Sequence, residues 1–271
     1  MSLLRRLFGV DKPIIAMLHL PAMPGRPRHD RAAGMGHLVD TVGRDIEVLQ
    51  RAGVDGFLFC NEADLPYQIG VGPEVTAGMA AVIGQVRSTV TLPFGVNLVW
   101  DPVASLAVAR ATDAVFVREV FTGVYESDLG LMQPHFGAIA AYREQIGAGA
   151  VALFSNITPE FASTLGTRSL AERARSATFL GVDAILISGQ LTGTSTSVRE
   201  LLEAKTAVPH MPVLANTGVR EDTVDEILAI ADGVFVGTSL KRDGVTWNGV
   251  DPERADRFMA AVQRARGAVP V

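Results

Sequence analysis

The sequence predicts an α/β fold, a single (β/α)8 TIM barrel of the phosphate-binding type, in which eight parallel strands alternate with helices. The chain has 271 residues, close to the roughly 250 that such a barrel typically needs. Short apolar runs alternate with longer helical patterns along the whole chain, which is typical of repeated β-α units. The mean hydropathy is +0.26, and strands covered on both faces give such apolar runs. We therefore expect residues 1–271 to form one barrel domain.

Eight short apolar segments are the predicted barrel strands. Each is followed by a stretch that can form a helix, as a parallel sheet requires. Aspartate precedes every second strand, at Asp55, Asp113, Asp183 and Asp232, which favours an eightfold barrel over an open sheet. Alternatively, Asp is simply a good turn residue before a strand. The predicted strands cover residues 14–18, 56–59, 94–99, 114–117, 151–154, 184–187, 213–215 and 233–236.

The intervening segments carry the helical period. Apolar residues recur at i, i+3, i+4 and i+7, the spacing of a helix that packs one face on a sheet. Asp101-Pro102 and Asp251-Pro252 each place an acceptor at a helix N-cap and proline at the first helical position. The clearest apolar sets are Met79, Val82, Ile83 and Val86; Val224, Ile227, Leu228 and Ala231; and Phe258, Ala261, Val262 and Ala265.

Composition narrows the class of protein. With 24 Lys and Arg against 29 Asp and Glu, the net charge is −5, so we expect no nucleic-acid partner, because broad nucleic-acid binding needs clustered positive charge. No window approaches the roughly 20 apolar residues of a membrane span. The single cysteine, Cys60, permits no intrachain disulfide and fits a reducing compartment, so the expected location is cytoplasmic.

The loops after strands seven and eight predict a phosphate site. Loops at these two positions, with a short helix N-terminus, commonly bind phosphate in such barrels, since glycine lets the backbone approach and free N–H groups donate to the anion. Glycines after strand six extend the predicted cradle. Alternatively, these glycines only make tight turns. The predicted phosphate-binding residues are Asn216, Thr217, Gly218, Gly237, Thr238, Ser239, Gly189 and Gly193.

Polar residues at other strand ends predict a catalytic mouth. Carboxyl ends of barrel strands converge on one face, where acid and base groups are built. Two long connections, residues 21–36 and 119–133, lie on the same face. We expect Glu62 or Glu119 to act as base, and Asn97, Asn156 and His19 to hold or polarise an oxygen.

Structural alternatives exist for several of these residues. His19 fits a core histidine, and Asp101 fits a helix cap. Arg118 and Glu119 are neighbours, so at most one faces the barrel axis unless the strand has already ended. Cys60 is expected in the core.

The sequence predicts neither a metal nor an organic cofactor. The five histidines show no paired metal-ligand spacing, and one cysteine cannot build a structural zinc site. A hard cation on Glu62, Asp64 or Glu119 stays open. The sequence contains no dinucleotide fingerprint and no P-loop. Lys205 and Lys241 are poorly placed for a Schiff base, which disfavours a lysine-dependent aldolase.

Several segments, in order and over nearly the whole chain, resemble the BtpA/SgcQ family. The Asn61-Glu62 and Leu65-Pro66-Tyr67 runs, with Trp100-Asp101-Pro102, resemble its SgcQ-like branch more closely. The segments are PIIAMLHLPAMPG from Pro13, GVDGFLFCNEADLPY from Gly53, PFGVNLVWDPVAS from Pro93, REVFTGVYESDLG from Arg118, LFSNITPE from Leu153, LANTGV from Leu214 and ADGVFVGTSLKRDGV from Ala231.

The resemblance implies a phosphate-binding TIM barrel but assigns no reaction. Its SgcQ branch is associated with sugar-utilisation genes, and its BtpA branch with photosystem I biogenesis. Our first hypothesis is an enzyme that isomerises, epimerises or cleaves a phosphorylated sugar or related metabolite, through a base and a group that stabilises an oxyanion. The second is a non-catalytic barrel that binds a ligand or protein partner and assists assembly of a membrane complex. A homo-oligomer is compatible with both.

Overall fold

The computed structural model describes residues 1–191 and 194–268. Within these ranges the helices are α1 (Leu3–Phe8), α2 (Gly34–Ala52), α3 (Pro73–Val86), α4 (Pro102–Thr112), α5 (Phe136–Gln145), α6 (Leu170–Leu180), α7 (Val198–Ala207), α8 (Val224–Ile230) and α9 (Pro252–Ala268). The strands are β1 (Ile14–His19), β2 (Gly56–Cys60), β3 (Phe94–Asn97), β4 (Phe116–Glu119), β5 (Tyr125–Ser127), β6 (Gly130–Met132), β7 (Ala152–Asn156), β8 (Ala162–Thr164), β9 (Ala184–Ile187), β10 (Val213–Ala215) and β11 (Val234–Val236).

Eight of these strands close into a parallel barrel, in the order β1-β2-β3-β4-β7-β9-β10-β11 and back to β1. They correspond to the eight predicted strands, so the predicted fold class is confirmed. The third strand ends at Asn97 instead of residue 99, because the chain turns there. The Asp101 N–H donates to the Leu98 carbonyl at 2.9 Å, and Trp100 adopts a left-handed φ of 67°.

The barrel is filled with apolar side chains and closed at its N-terminal end. The rings of Phe116 and Phe154 stack with centroids 4.8 Å apart, and Phe235 packs edge-on against both. Below them α1 places Phe8 against Phe116, with centroids at 5.7 Å. One end is plugged in this way, and ligand sites of such barrels lie at the carboxyl ends of the strands.

The recurrent aspartates fasten neighbouring strands to each other. Asp55 accepts the N–H of Ile14 at 2.7 Å, from just before β2 to the start of β1. Asp183 accepts the N–H of the second residue of β7, and Asp232 accepts the N–H of the first residue of β10, each at 2.8 Å. Asp113 instead ends α4 in a left-handed conformation. The repeat therefore has a structural basis in strand and turn formation.

The long connections fold over the mouth. Residues 119–133 contribute β5 and β6, which form a small antiparallel sheet with β8, and Tyr125 of this sheet is buried against Trp100. In the other connection, the Met23 N–H donates to Asp64 Oδ1 at 2.7 Å, which joins the loops after β1 and β2. Among the residues described, no helix is both long and apolar enough to cross a bilayer.

Candidate active site

Arg118 lies at the centre of the barrel mouth. It follows Phe116 by two residues in β4, so both side chains point inward. Its guanidinium donates to Asn97 Oδ1 at 2.6 Å and to Asn216 Oδ1 at 3.2 Å, and it lies 5.8 Å from the centroid of the Phe235 ring. The salt bridges formed by the described residues do not include it. An interior cation held by neutral amides is suited to binding an anion or a developing oxyanion.

Glu119 is hydrogen-bonded beside this arginine. Its Oε1 accepts from Asn97 Nδ2 at 2.6 Å and from the Trp100 N–H at 2.9 Å, and its Oε2 accepts from the Val120 N–H at 2.8 Å. Burial raises the pKa of Glu119 to about 8, although the backbone N–H donors lower it by stabilising the charged carboxylate. Arg118 and Glu119 both reach the mouth because Glu119 is the last residue of β4, where the alternation of faces ends.

A second set of hydrogen bonds continues around the opposite wall. Asn156 Nδ2 donates to Glu160 Oε2 and to Ser188 Oγ, both at 3.0 Å. Asn216 Nδ2 donates to the same Ser188 hydroxyl at 2.8 Å, and so joins this wall to Arg118. Burial raises the pKa of Glu160 above its ordinary value. The polar groups thus form one connected network across β3, β4, β7, β9 and β10.

Glu62 lies at the rim, directly after β2. The Tyr67 hydroxyl donates to its Oε1 at 3.0 Å, and the Cys60 thiol donates to its Oε2 at 3.4 Å. The thiol is buried inside the barrel, as expected for a core residue, and burial raises its pKa so that it stays protonated at neutral pH. The carboxylate of Glu62 is therefore held in place at the entrance.

His19 ends β1 on the inner face. Burial lowers its pKa to about 4, so the imidazole is neutral at physiological pH. Its Nδ1 is buried and lacks a hydrogen-bond partner in the described part of the chain. Gly237 lies beside this ring, and a Cβ added there would lie 3.0 Å from His19 Cε1. Glycine at 237 thus keeps the space between β11 and His19 open.

These groups surround two adjoining cavities. The main cavity has a volume of about 640 Å³, within the range of small-molecule sites, and a pocket of about 50 Å³ continues from it. Predicted residues that line the main cavity are His19, Glu62, Asn216, Thr217, Gly218, Gly237, Thr238 and Ser239. Those that line the smaller pocket are Glu62, Asn97, Glu119 and Asn156.

The two predicted phosphate loops face each other across the main cavity. Thr238 begins a short 3₁₀ turn, Thr238–Leu240. Among the described residues, the N–H groups of Gly218, Thr238 and Ser239 donate to no acceptor. Gly218 has a φ of +65°, and a Cβ there would lie 2.3 Å from the backbone of Thr194. Both the positive φ and the close approach of the Thr194 backbone require glycine at position 218. The alternative that this glycine makes a tight turn therefore also holds.

Gly189, which follows β9, does not line the mouth cavities. The Gly189 N–H donates to Thr217 Oγ1 at 2.6 Å, so this donor is already used. Gly193 lies outside the described residues. The hydroxyl of Thr217 supports the loop after β9 as well as lining the cavity.

Among the described residues, no group of three or more His, Cys, Asp or Glu side chains is arranged to hold a metal ion. The carboxylate of Asp64 accepts from Asn61 Nδ2 at 2.8 Å and from the Met23 N–H. Glu119 already accepts three N–H donors, so Asp64 and Glu119 both hold protein groups.

Lys205 and Lys241, the two lysines considered for a Schiff base, are engaged in ion pairs. Lys241 is 1% exposed, and its Nζ donates to Asp45 Oδ2 at 2.7 Å. Lys205 pairs with Asp232 at the N-terminal end of β11. Neither amine lines the two mouth cavities.

The sequence-based list of site residues missed four groups that the structure brings into or beside the mouth: Arg118, Tyr67, Glu160 and Ser188. Arg118 and Ser188 lie two residues after buried inward-facing residues, so a strict period-2 count along β4 and β9 can find them. Tyr67 and Glu160 come from loops, where no periodicity applies.

Comparison with known proteins places these residues in a family. The sequence profile described as "BtpA family" matches residues 10–264. The chain is 45% identical over 267 residues to the putative sgc region protein SgcQ of Escherichia coli, covering 98% of this chain and 100% of that protein. It is 28% identical to the photosystem I biogenesis protein BtpA of Synechocystis, covering 97% of this chain and 92% of the relative.

The fold is also similar to solved structures. A (S)-3-O-geranylgeranylglyceryl phosphate synthase from Thermoplasma acidophilum, solved with sn-glycerol-1-phosphate, superposes with a TM-score of 0.63. The match covers 97% of this chain and 99% of the synthase at 13% identity, so it shows the shared barrel fold.

Proposed function

The chain belongs to the BtpA family, and from this premise we propose that it is an enzyme acting on a small phosphorylated sugar or a related metabolite at the mouth of the barrel. The observation that carries the proposal is the connected network from Glu119 through Asn97, Arg118 and Asn216 to Ser188. Burying so many polar groups is unfavourable unless each is paired. The network is better explained by a ligand it must orient.

The phosphate is assigned to the loops after β10 and β11. Gly218, Thr238 and Ser239 line the main cavity, and their N–H groups donate to no acceptor within the described part of the chain. Arg220 lines the same cavity and adds a guanidinium group that can bind a phosphate. The structurally similar synthase from Thermoplasma acidophilum holds sn-glycerol-1-phosphate, which supports a phosphorylated ligand. Because the synthase is only 13% identical to this chain, it supports the class of ligand and not a particular substrate.

The chemistry we propose is proton abstraction beside a carbonyl. A carboxylate, Glu62 first and Glu119 second, takes a proton from carbon; the C–H electron pair forms a C=C bond, and the carbonyl oxygen becomes an oxyanion. The Arg118 guanidinium and the neutral His19 imidazole stabilise that oxyanion. Return of the proton to the former carbonyl carbon, while the hydroxyl proton of the first carbon passes to the oxyanion, isomerises the substrate, and its return to the opposite face of the first carbon epimerises it. In aldol cleavage the base instead takes the proton of the β-hydroxyl group, whose carbon becomes a carbonyl as the C–C bond breaks, and the C–C electron pair forms the enolate, which is then protonated.

A paired metabolite screen tests the proposal. Each phosphorylated sugar is compared with its unphosphorylated counterpart by thermal shift, because a ligand that binds only the folded state raises its melting temperature. We expect phosphorylated compounds alone to stabilise the protein and at least one to be turned over. Hits without turnover of any compound would favour the second hypothesis, a binding protein that assists assembly. Equal shifts from both members of each pair would contradict a phosphate site.

A further inference from the structure

A separate cavity of about 440 Å³ lies beside the mouth, between the connection after β1 and the loop that precedes α9. His19 lines it on one side, and the other walls carry several basic side chains and an indole. These walls include Arg28, Arg44, Arg242, Asp45 and Trp247.

The cavity is electropositive. The salt bridges formed by the described residues include none of Arg28, Arg44 and Arg242. The acid in its wall, Asp45, is already neutralised by Lys241 at 2.7 Å. Three exposed guanidinium groups that line one concavity favour the binding of an anion there. A guanidinium binds phosphate oxygens in pairs, with planar geometry.

The same cavity offers an aromatic surface. Trp247 is 51% exposed, and the guanidinium carbon of Arg28 lies 5.7 Å from the centroid of its ring. Arg28 covers one face of this indole, so a planar ring would stack on the other face, while the neighbouring guanidinium groups bind charge. Ring and cations lie in one concavity of a size that suits a small ligand.

We propose that this cavity binds a small molecule that carries both a planar ring and a phosphate or diphosphate group, the chemistry of a nucleotide. The ring stacks on Trp247, and the phosphates are bound by Arg28 and Arg242. Because none of the residues proposed to bind the nucleotide belongs to the proton-abstraction machinery, the site can exist whether or not the mouth is catalytic.

Binding of ADP to the full-length protein tests the proposal, with adenosine and inorganic pyrophosphate as its two halves. Calorimetry should show ADP binding at least 10-fold more tightly than either half, and ADP should change the tryptophan emission. The emission change should vanish in Trp247→Phe, which keeps an aromatic ring and leaves Trp100 as the other indole. Pyrophosphate binding as tightly as ADP would overturn the ring contact.

Arginine variants locate the site. Arg28→Ala and Arg242→Ala should each weaken ADP binding at least 10-fold. Arg51→Ala should leave the affinity unchanged, because this arginine pairs with Glu47 on the exposed face of α2. Unchanged ADP affinity in both cavity variants would place the nucleotide elsewhere, and no binding at millimolar ADP would reject the site.

Discussion

Asn97 Nδ2 donates to Glu119 Oε1 at 2.6 Å, from one barrel strand to the next. The same amide presents its oxygen to Arg118 at 2.6 Å, so one side chain holds a cation and a carboxyl group side by side. Neither group can move without breaking a buried hydrogen bond. The carboxyl group of Glu119 is therefore fixed in a buried environment that raises its pKa.

Glu119 should make stability depend on pH. Burial raises its pKa from the ordinary 4.5 to about 8, so the fold favours the protonated form. The contribution of protonated Glu119 to the free energy of unfolding is fully present below about pH 4.5 and is lost as the pH rises through about 8. Glu119→Gln stays neutral at every pH, so the melting temperature of the wild type relative to this variant should fall across that range.

The matched control is Glu126→Gln, which changes an exposed carboxylate of the small sheet. The melting temperature of this variant should depend on pH in the same way as that of the wild type. Parallel curves for Glu119→Gln as well would show that the Glu119 carboxyl titrates normally and would remove it as a group tuned for catalysis.

Glu62→Gln should lower turnover while leaving the fold intact. Loss of a general base typically costs roughly 10²–10⁴ in rate, whereas the amide keeps the size and the hydrogen bond from Tyr67. The measurement is kcat on a substrate from the screen beside a melting curve. Glu253→Gln, at an exposed position of α9, serves as the control. Full turnover in Glu62→Gln would transfer the role of base to Glu119, and lost stability would indicate a structural carboxylate.

The barrel was predictable from sequence because its strands are buried on both faces and read as apolar runs. The small sheet of β5, β6 and β8 was not, since strands of three residues show no alternation. Helix α1, which closes the barrel, was not predicted, because its six residues contain too few apolar positions to show a helical period.

The mouth was predictable only in part. Strand ends identified His19, Asn97 and Asn156, because parallel strands converge on one face. The simultaneous inward placement of Arg118 and Glu119 depends on where β4 ends, and propensity cannot fix a strand end to one residue.

Gly237→Val should abolish binding of the phosphorylated ligand. The added side chain would begin 3.0 Å from His19 Cε1 and 3.2 Å from Met17 Cγ, and it would fill the space beside the phosphate loop. Calorimetry with a hit from the screen measures the loss. Gly43→Ala is the control, because a Cβ at that position of α2 meets nothing within 4 Å. Equal affinity in Gly237→Val and Gly43→Ala would count against the assigned cradle.

Asp45→Asn should be strongly destabilising. It leaves the buried ammonium of Lys241 without its carboxylate, and such a loss typically costs about 3–5 kcal/mol. Urea unfolding measures the change in free energy. Glu47→Gln, which breaks an exposed pair with Arg51 on the same helix, should cost less than about 1 kcal/mol. Similar costs for the two variants would show that the Asp45–Lys241 pair does not hold the loop before α9.

The location of a bound phosphate tests the central claim most directly. A crystal of the full-length protein soaked in inorganic phosphate or sulfate should show the anion in the main cavity, accepting from the N–H groups of Gly218 and Thr238 at about 2.7–3.2 Å. The account predicts that ion between the loops after β10 and β11. A mouth plugged by side chains, or an anion bound only elsewhere on the protein, would contradict it.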